Sequence, residues 1–332
     1  TEWTQPALFA LEVGLYRQWE AWGLQVESVS GHSIGELAAG HVSGVLSLSD
    51  AAKLVSARGR LMQGCERGGA MASLDASEAE VSQVLPTIAG RISIAGLNGA
   101  GQTVVSGDER AVSAVMAQFA GQGRRVKRLE VSHAFHSAHM DGMLEAYRKV
   151  AESCVYGPVR TSLVSTLSGE RMGPELEAGE GVRSAAYWVR QVRDAVRFTD
   201  ALQTPRTQGT SHYLECGPAG VLTALASGAA AEDVEDVFVS SLKGDGDEER
   251  DLVAALSRLH ATGCALDLSR VYGESARRVD VPTYAFQRER YWQEALPVRA
   301  ELGAAGLTSG AHPWLGAVTT LAEGAGMLLT GR

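Results

Sequence analysis

The chain has 332 residues, of which 45% are hydrophobic and 21% charged, an ordinary balance for a folded soluble protein. Its formal charge of −9 argues against a nucleic acid or an anionic membrane surface as the main partner. At this length one large unit with appended pieces is expected.

The first residue is Thr1 rather than Met, and Thr1-Glu2-Trp3-Thr4-Gln5-Pro6 runs at once into a helical pattern over about 6–22, with Leu8, Leu11, Leu15 and Trp19. With the interrupted strand pattern of Gly326-Met327-Leu328-Leu329-Thr330 at the other end, the chain reads as an excerpt of a longer polypeptide. A short strand, Val26 to Ser30, precedes the turn Gly31-His32-Ser33-Ile34-Gly35, and a helix with Leu37, Ala38 and Val42 follows it. A further helix is predicted over 49–64, its apolar stripe formed by Leu54, Val55, Leu61 and Met62. From 70 to 131 the rhythm changes to strand, helix, strand, strand, helix, strand, the βαββαβ order of a ferredoxin-like unit, here an insertion. The α/β pattern resumes with a helix over 137–153, a strand over 161–164 and one long helix over 185–203. A strand at 212–215 then feeds the Gly217-Pro218-Ala219-Gly220 turn and a further helix, and a last strand covers 237–242. The acidic stretch from Lys243 to Asp251 marks a boundary, followed by a helix over 252–262. The irregular aromatic run Pro282-Thr283-Tyr284-Ala285-Phe286-Gln287 needs a surface to lie against, and Ala295 to Ala311 reads as a flexible linker. No run is apolar enough to cross a bilayer, and no signal peptide opens the chain. Cys65, Cys154, Cys216 and Cys264 lie far apart without metal or redox spacing, which suits a reduced, cytoplasmic compartment.

Gly31-x-Ser33-x-Gly35 falls where a strand-to-helix turn is predicted, the setting that makes this pentapeptide informative. The turn lifts the serine oxygen clear of the backbone, and the following helix N-terminus offers free N–H groups, that of Ile34 being the expected oxyanion donor. A chance Gly-Ser-Gly turn is the bland alternative. A serine hydroxyl needs a base. Three histidines stand in His133-Ala134-Phe135-His136-Ser137-Ala138-His139, but at that spacing they wander around a helix and define no metal site. His136 falls at the strand-to-helix junction, where a loop can aim it at Ser33, whereas His41, His212 and His260 read as merely polar. Arg58 shares a helix face with Leu54, Leu61 and Met62. On these grounds a surface salt bridge and a carboxylate-binding guanidinium beside an acyl-serine site are equally open.

Together, Thr4-Gln5-Pro6-Ala7-Leu8, Gly31-His32-Ser33-Ile34-Gly35-Glu36, Ala57-Arg58-Gly59-Arg60-Leu61-Met62, Val131-Ser132-His133-Ala134-Phe135-His136-Ser137 and Pro282-Thr283-Tyr284-Ala285-Phe286-Gln287-Arg288 match, in order and spacing, one family. The chain resembles the malonyl-type acyltransferase domains of modular polyketide synthases and fatty acid synthases over nearly its whole length. The resemblance implies a ping-pong transfer: Ser33, activated by His136, attacks an acyl-coenzyme A thioester, and the phosphopantetheine thiol of an acyl carrier protein then takes the acyl group. It implies that Arg58 binds the free carboxylate of the acyl group, that Gln5 and His32 contact substrate, and that a backbone carbonyl around Asp194 orients His136. No bound cofactor or metal is implied. His133-Ala134-Phe135-His136 resembles the malonyl-selective pattern, since the Phe135 ring fills space an α-methyl branch would need, and Ile34 points the same way. One methyl group in a tight pocket is worth roughly 1–3 kcal/mol, so selectivity is expected to be real but leaky. A Gly-Gln-Gly segment that in this family precedes the nucleophile, with a strand and a second oxyanion contact, has no counterpart in this sequence. Ala311-His312-Pro313-Trp314-Leu315-Gly316 resembles the opening of a dehydratase domain, with no catalytic role for His312.

The expected fold is α/β: a hydrolase-like large subdomain (1–69 and 132–242) with a mostly parallel sheet, and an inserted ferredoxin-like small subdomain (70–131). A post-acyltransferase linker (243–295), a flexible linker (296–310) and the start of a dehydratase domain (311–332) follow. The acyl pocket is expected between large and small subdomains, and neighbouring ketosynthase and dehydratase domains are expected partners in antibiotic-type polyketide biosynthesis. Two other readings compete. A serine hydrolase would share the turn at Ser33 but needs a triad acid followed by a late histidine, neither of which is evident. A non-catalytic docking module would leave Ser33, His136 and Arg58 unrelated.

Overall fold

The computed structural model describes residues 1–229, 236–244, 246–273, 276–277, 279–292 and 301–331. These divide into two units, Thr1–Ala276 and Arg277–Arg332. In the first, α1 (Thr4–Ala21) turns Phe9, Leu15 and Trp19 inward. The short strand β1 (Ser28–Val29) leads through the Ser33 turn into α2 (Gly35–Val42), whose small residues let it lie deep, with Leu37 fully buried. Next, α3 (Leu48–Gln63) begins at Ser47, whose side chain accepts from the Asp50 N–H and satisfies an otherwise orphaned donor. It buries Leu54, Val55, Arg58 and Met62 along one face.

The insertion forms as its pattern predicts. Strands β2 (Gly69–Leu74), β3 (Ile92–Gly99), β4 (Gln102–Asp108) and β5 (Val126–Arg128) make an antiparallel sheet in the order β3-β4-β2-β5. Helices α4 (Glu78–Val84) and α5 (Glu109–Gly121) cover one face, and Val81, Val112, Val115 and Phe119 close that core. A capping box between Ser77 and Glu80 starts α4.

The large subdomain continues with α6 (Asp141–Glu152), β6 (Ser162–Val164), β7 (Arg171–Met172), α7 (Ala185–Arg193), α8 (Phe198–Thr207), β8 (His212–Glu215), α9 (Val221–Ala229) and β9 (Val237–Ser240). Strand β6 pairs parallel with β1 and antiparallel with β7, while β8 pairs parallel with β9. The parallel strands thus stand as two pairs, and β1 and β8 both line a cleft of about 670 Å³ with Leu8, Glu12 and Leu222. Burial, with the Glu215 carboxylate nearby, pushes the Glu12 carboxyl up to about 8.

The single helix expected over 185–203 is in fact two. Residues 194–197 leave the helical path because they bond to the small subdomain: the Val196 N–H donates to Ala95 O at 3.0 Å, and Leu97 N–H to Val196 O at 2.8 Å. The boundary expected at Lys243 falls inside the first unit. There α10 (Glu248–Ala261) packs Ala255, Leu256 and Leu259 against Trp19 and Val239, and α11 (Leu268–Tyr272) follows. In the second unit β10 (Leu315–Thr320) and β11 (Met327–Gly331) form an antiparallel hairpin. The Tyr284 and Phe286 rings meet edge to face at 5.1 Å. Of the expected flexible linker, residues 296–300 lie outside the described residues, and Leu302–Ala305 form a 3₁₀ turn. Among the described residues no helix is long and apolar enough to cross a membrane.

Candidate active site

The turn between β1 and α2 is tight enough that a Cβ on Gly31 would stand 2.1 Å from the carbonyl of Gly35, so only glycine fits. The turn forces Ser33 to φ 54°. His136 is also at φ 54°, and among the described residues these are the only non-glycine residues with positive φ. Such a conformation costs on the order of 1–3 kcal/mol per residue and persists only where the surroundings fix it.

The two strained residues meet. Ser33 Oγ lies 2.8 Å from His136 Nε2, and His136 Nδ1 lies 2.9 Å from Asp194 O. A carbonyl only accepts, so Nδ1 carries the proton and Nε2 keeps its lone pair for the serine hydroxyl. The Asp194 carbonyl is free for this because α7 ends at Arg193, so the break in the predicted long helix supplies the acceptor. Burial, then the charge of Arg58, pull the His136 imidazole down to about 3, against the raising effect of the Asp194 carbonyl. The ring is therefore neutral at physiological pH, the form able to accept the serine proton.

Arg58 stands beside the pair, 2% exposed. Its Nη2 donates to Ser33 Oγ at 3.1 Å and its Nη1 to Gln5 Oε1 at 2.7 Å, and its Nε has no partner among the described residues. Burial lowers the guanidinium to about 10, which leaves it charged at neutral pH. Among the described residues it forms no ion pair with any carboxylate. Gln5, itself buried, steers the guanidinium and donates from Nε2 to Met62 Sδ at 3.2 Å. The Ile34 N–H meets no acceptor among the described residues, as a free donor at the start of α2 should.

His32 turns away from Ser33: its Nε2 lies 3.0 Å from Asn98 Oδ1 on β3, and its ring meets Phe198 edge-on at 5.6 Å. Phe135 packs against both the large core and the Met71, Ala95 and Val104 cluster of the small subdomain. The other two histidines of the motif separate, His139 Nε2 bonding Asp108 Oδ1 at 2.8 Å and His133 Nδ1 lying 2.9 Å from Ser132 Oγ. Among the described residues no group of three His, Cys, Asp or Glu side chains is placed to hold a metal. The cleft lined by β1 and β8 reaches His32, Ile34 and Gly35 but not Ser33, Arg58 or His136.

Sequence reasoning passed over the support beneath this group. Glu36, fully buried, accepts from Thr166 N at 2.9 Å, Thr166 Oγ1 at 2.8 Å and the Tyr187 hydroxyl. Gln191 donates to Ser33 O at 2.6 Å. The available signal was an acidic residue directly before the small apolar run Leu37-Ala38-Ala39 of α2, where a carboxyl can be buried only if it is hydrogen-bonded.

Fold and geometry define an acyltransferase: an α/β hydrolase-like large subdomain, a ferredoxin-like insertion, and a serine–histidine pair beside a buried cation. The chain belongs to the acyl transferase domain family, whose model matches residues 1–266. It is 48% identical, over its whole length, to polyketide synthase GfsA of Streptomyces halstedii. To the phenolphthiocerol synthesis polyketide synthase type I Pks15/1 of Mycobacterium marinum it is 45% identical. The chain spans 4% and 16% of the lengths of these two relatives. Among solved structures it resembles the acyltransferase domain from the second module of the salinomycin polyketide synthase (TM-score 0.79, 44% identity, 86% of this chain and 66% of that one). It also resembles FabD from Acinetobacter baumannii (TM-score 0.68, 29% identity, 77% and 81% covered).

Proposed function

We propose that this acyltransferase moves a malonyl unit from malonyl-CoA, through an acyl ester on Ser33, to the phosphopantetheine thiol of an acyl carrier protein in polyketide assembly. The observation that carries this reading is Arg58, a buried guanidinium without an ion pair among the described residues, 3.1 Å from Ser33 Oγ. A buried charge is expensive unless paired, and a substrate carboxylate supplies the missing partner through paired hydrogen bonds.

In the forward half-reaction His136 Nε2 takes the Ser33 proton as Oγ attacks the thioester carbonyl. The oxygen that becomes negative is met by the Ile34 N–H, and the coenzyme A thiolate leaves with the proton from His136. In the second half the carrier thiol gives its proton to His136, attacks the Ser33 ester, and Ser33 Oγ recovers the proton. Gln5 orients Arg58, His32 ties the turn to the small subdomain, and Phe135 borders the space for the acyl α-carbon. No metal or bound cofactor enters these steps. Free Cys65, Cys154, Cys216 and Cys264 support a reducing, cytoplasmic setting. Residues after the first unit, from Arg277 on, are read as a post-acyltransferase linker leading into the first hairpin of a dehydratase domain, with a ketosynthase as the other neighbour.

Mass spectrometry after treatment with malonyl-CoA tests the reading. An adduct on Ser33 that is discharged by adding carrier protein is expected. Rapid loss to water without carrier would make the enzyme a hydrolase, and no adduct on Ser33 would overturn the assignment.

A further inference from the structure

The Ser33 carbonyl accepts a hydrogen bond from α7. Gln191 on that helix is 4% exposed, and its Nε2 donates to Ser33 O at 2.6 Å, joining the Glu36 N–H that reaches the same oxygen at 3.2 Å. A carboxamide facing a core is retained only where its polar atoms are satisfied, and here the satisfied atom is the strained residue itself. Three residues further along the chain, Asp194 O accepts from His136 Nδ1. One short helix therefore grips both strained residues, the serine by a side chain and the histidine by the carbonyl just past its last turn.

The helix is itself pinned. Trp188 is fully buried, with Nε1 donating to Val182 O at 3.0 Å, and the Tyr187 hydroxyl bonds both Glu36 and Ser165. Glu36 follows the nucleophile turn directly, so the turn and the helix are tied twice, once through Gln191 and once through Glu36 and Tyr187.

We propose that Gln191 is a positioning residue for the Ser33–His136 pair: it fixes the positive-φ peptide of Ser33 so that Oγ stays within hydrogen-bond reach of His136 Nε2. It takes no proton and touches no substrate. The inference rests on Ser33 being the nucleophile, and its test separates the two. Gln191→Met keeps the length and packing of the side chain but removes the donor. Labelling of Ser33 by a small fluorophosphonate, which needs the serine and its base but not Arg58, reads the pair directly. A misplacement of about 1 Å costs on the order of 10²-fold in rate, so Q191M is expected to label 10- to 100-fold more slowly. KM for malonyl-CoA should change by less than about twofold, because neither Arg58 nor Gln5 is hydrogen-bonded to Gln191. The pH profile of labelling should keep its shape at a lower plateau, because the partner of His136 Nδ1 is untouched. Should Q191M unfold below the assay temperature, Q191N draws the donor back by one methylene and should also label slowly while the melting temperature holds. Wild-type labelling rates in folded Q191M or folded Q191N would overturn the role of Gln191 alone. A wild-type protein that is not labelled on Ser33 would overturn the nucleophile assignment, and this inference with it.

Discussion

His136 combines a strained backbone, full burial and a neighbouring cation, and its titration follows from those three facts. The free ring protonates near 6.5, whereas the buried ring resists protonation down to about 3. Between these values the unfolded chain binds the extra proton, so stability falls as pH drops through that window and the contribution is level above it. The expected result is a melting temperature that declines from pH 7 toward pH 4 more steeply in the wild type than in His136→Asn; parallel curves would contradict it. The same depression keeps the base neutral throughout the working range. For the free enzyme, kcat/KM should run flat from pH 5.5 to 8.5, and an inflection near 6.5 would show a solvated imidazole instead. The two motif glycines also differ. Gly31→Ala drives a methyl group into the Gly35 carbonyl at 2.1 Å and should abolish soluble folded protein or labelling of Ser33. At Gly35 the nearest heavy atoms to an added Cβ are the Glu12 carboxylate oxygens at 3.7 Å. Gly35→Ala should therefore keep activity within about threefold and, as a helix position, leave stability equal or higher by up to about 1 kcal/mol. Comparing the two variants by circular dichroism and labelling decides whether the motif is one constraint or two.

At the scale of elements, the interruption between α7 and α8 matters most. Residues 185–203 carry a helical pattern throughout, and nothing local marks residues 194–197 as a stop. What ends the helix is β3, about a hundred residues earlier in the chain, whose Ala95 and Leu97 backbone groups bond Val196. Periodicity reports only local preference, so this break was not legible, although the residue it serves, Asp194, could be named from the resemblance. The Ser33 turn was legible because its strand, glycines and helix are contiguous. The ferredoxin-like insertion was legible for the same reason: each element carries its own turn signal. Gln191 was not, since a glutamine on an amphipathic helix gives no sign of which way it faces. Val196→Pro removes the N–H that donates to Ala95 O. It should lower stability by about 1–3 kcal/mol, measured by denaturant titration. If the strand contact holds the Asp194 carbonyl in place, acylation of Ser33 should fall about tenfold or more in the protein that remains folded. Unchanged acylation would show that α7 alone fixes that carbonyl.

Across the catalytic unit, the site is built where two independently packed cores meet. The large core gathers around Leu37, Leu54 and Trp188, and the small one around Val105, Val112 and Phe119. Among the contacts that cross between them are His32 to Asn98, Val196 to β3, and the Phe135 ring. The first two are hydrogen bonds and fix orientation, while the third fills volume, which on the malonyl reading sets how much room the acyl group has. Phe135→Ser removes most of that ring. Truncating a fully buried Phe costs about 3–5 kcal/mol, so a half-buried one should cost about 2 kcal/mol, visible as a lower melting temperature. On the malonyl reading the wild type should prefer malonyl- to methylmalonyl-CoA, by an amount bounded at roughly 10- to 200-fold for one methyl group. Competition between the two thioesters for transfer to carrier protein should show that preference shrinking in F135S. The change should come mainly from faster methylmalonyl transfer, because the Arg58 contact to the shared carboxylate is unaltered. An identical product ratio for the two proteins would mean that the ring only joins the cores and that selectivity, if present, is set elsewhere.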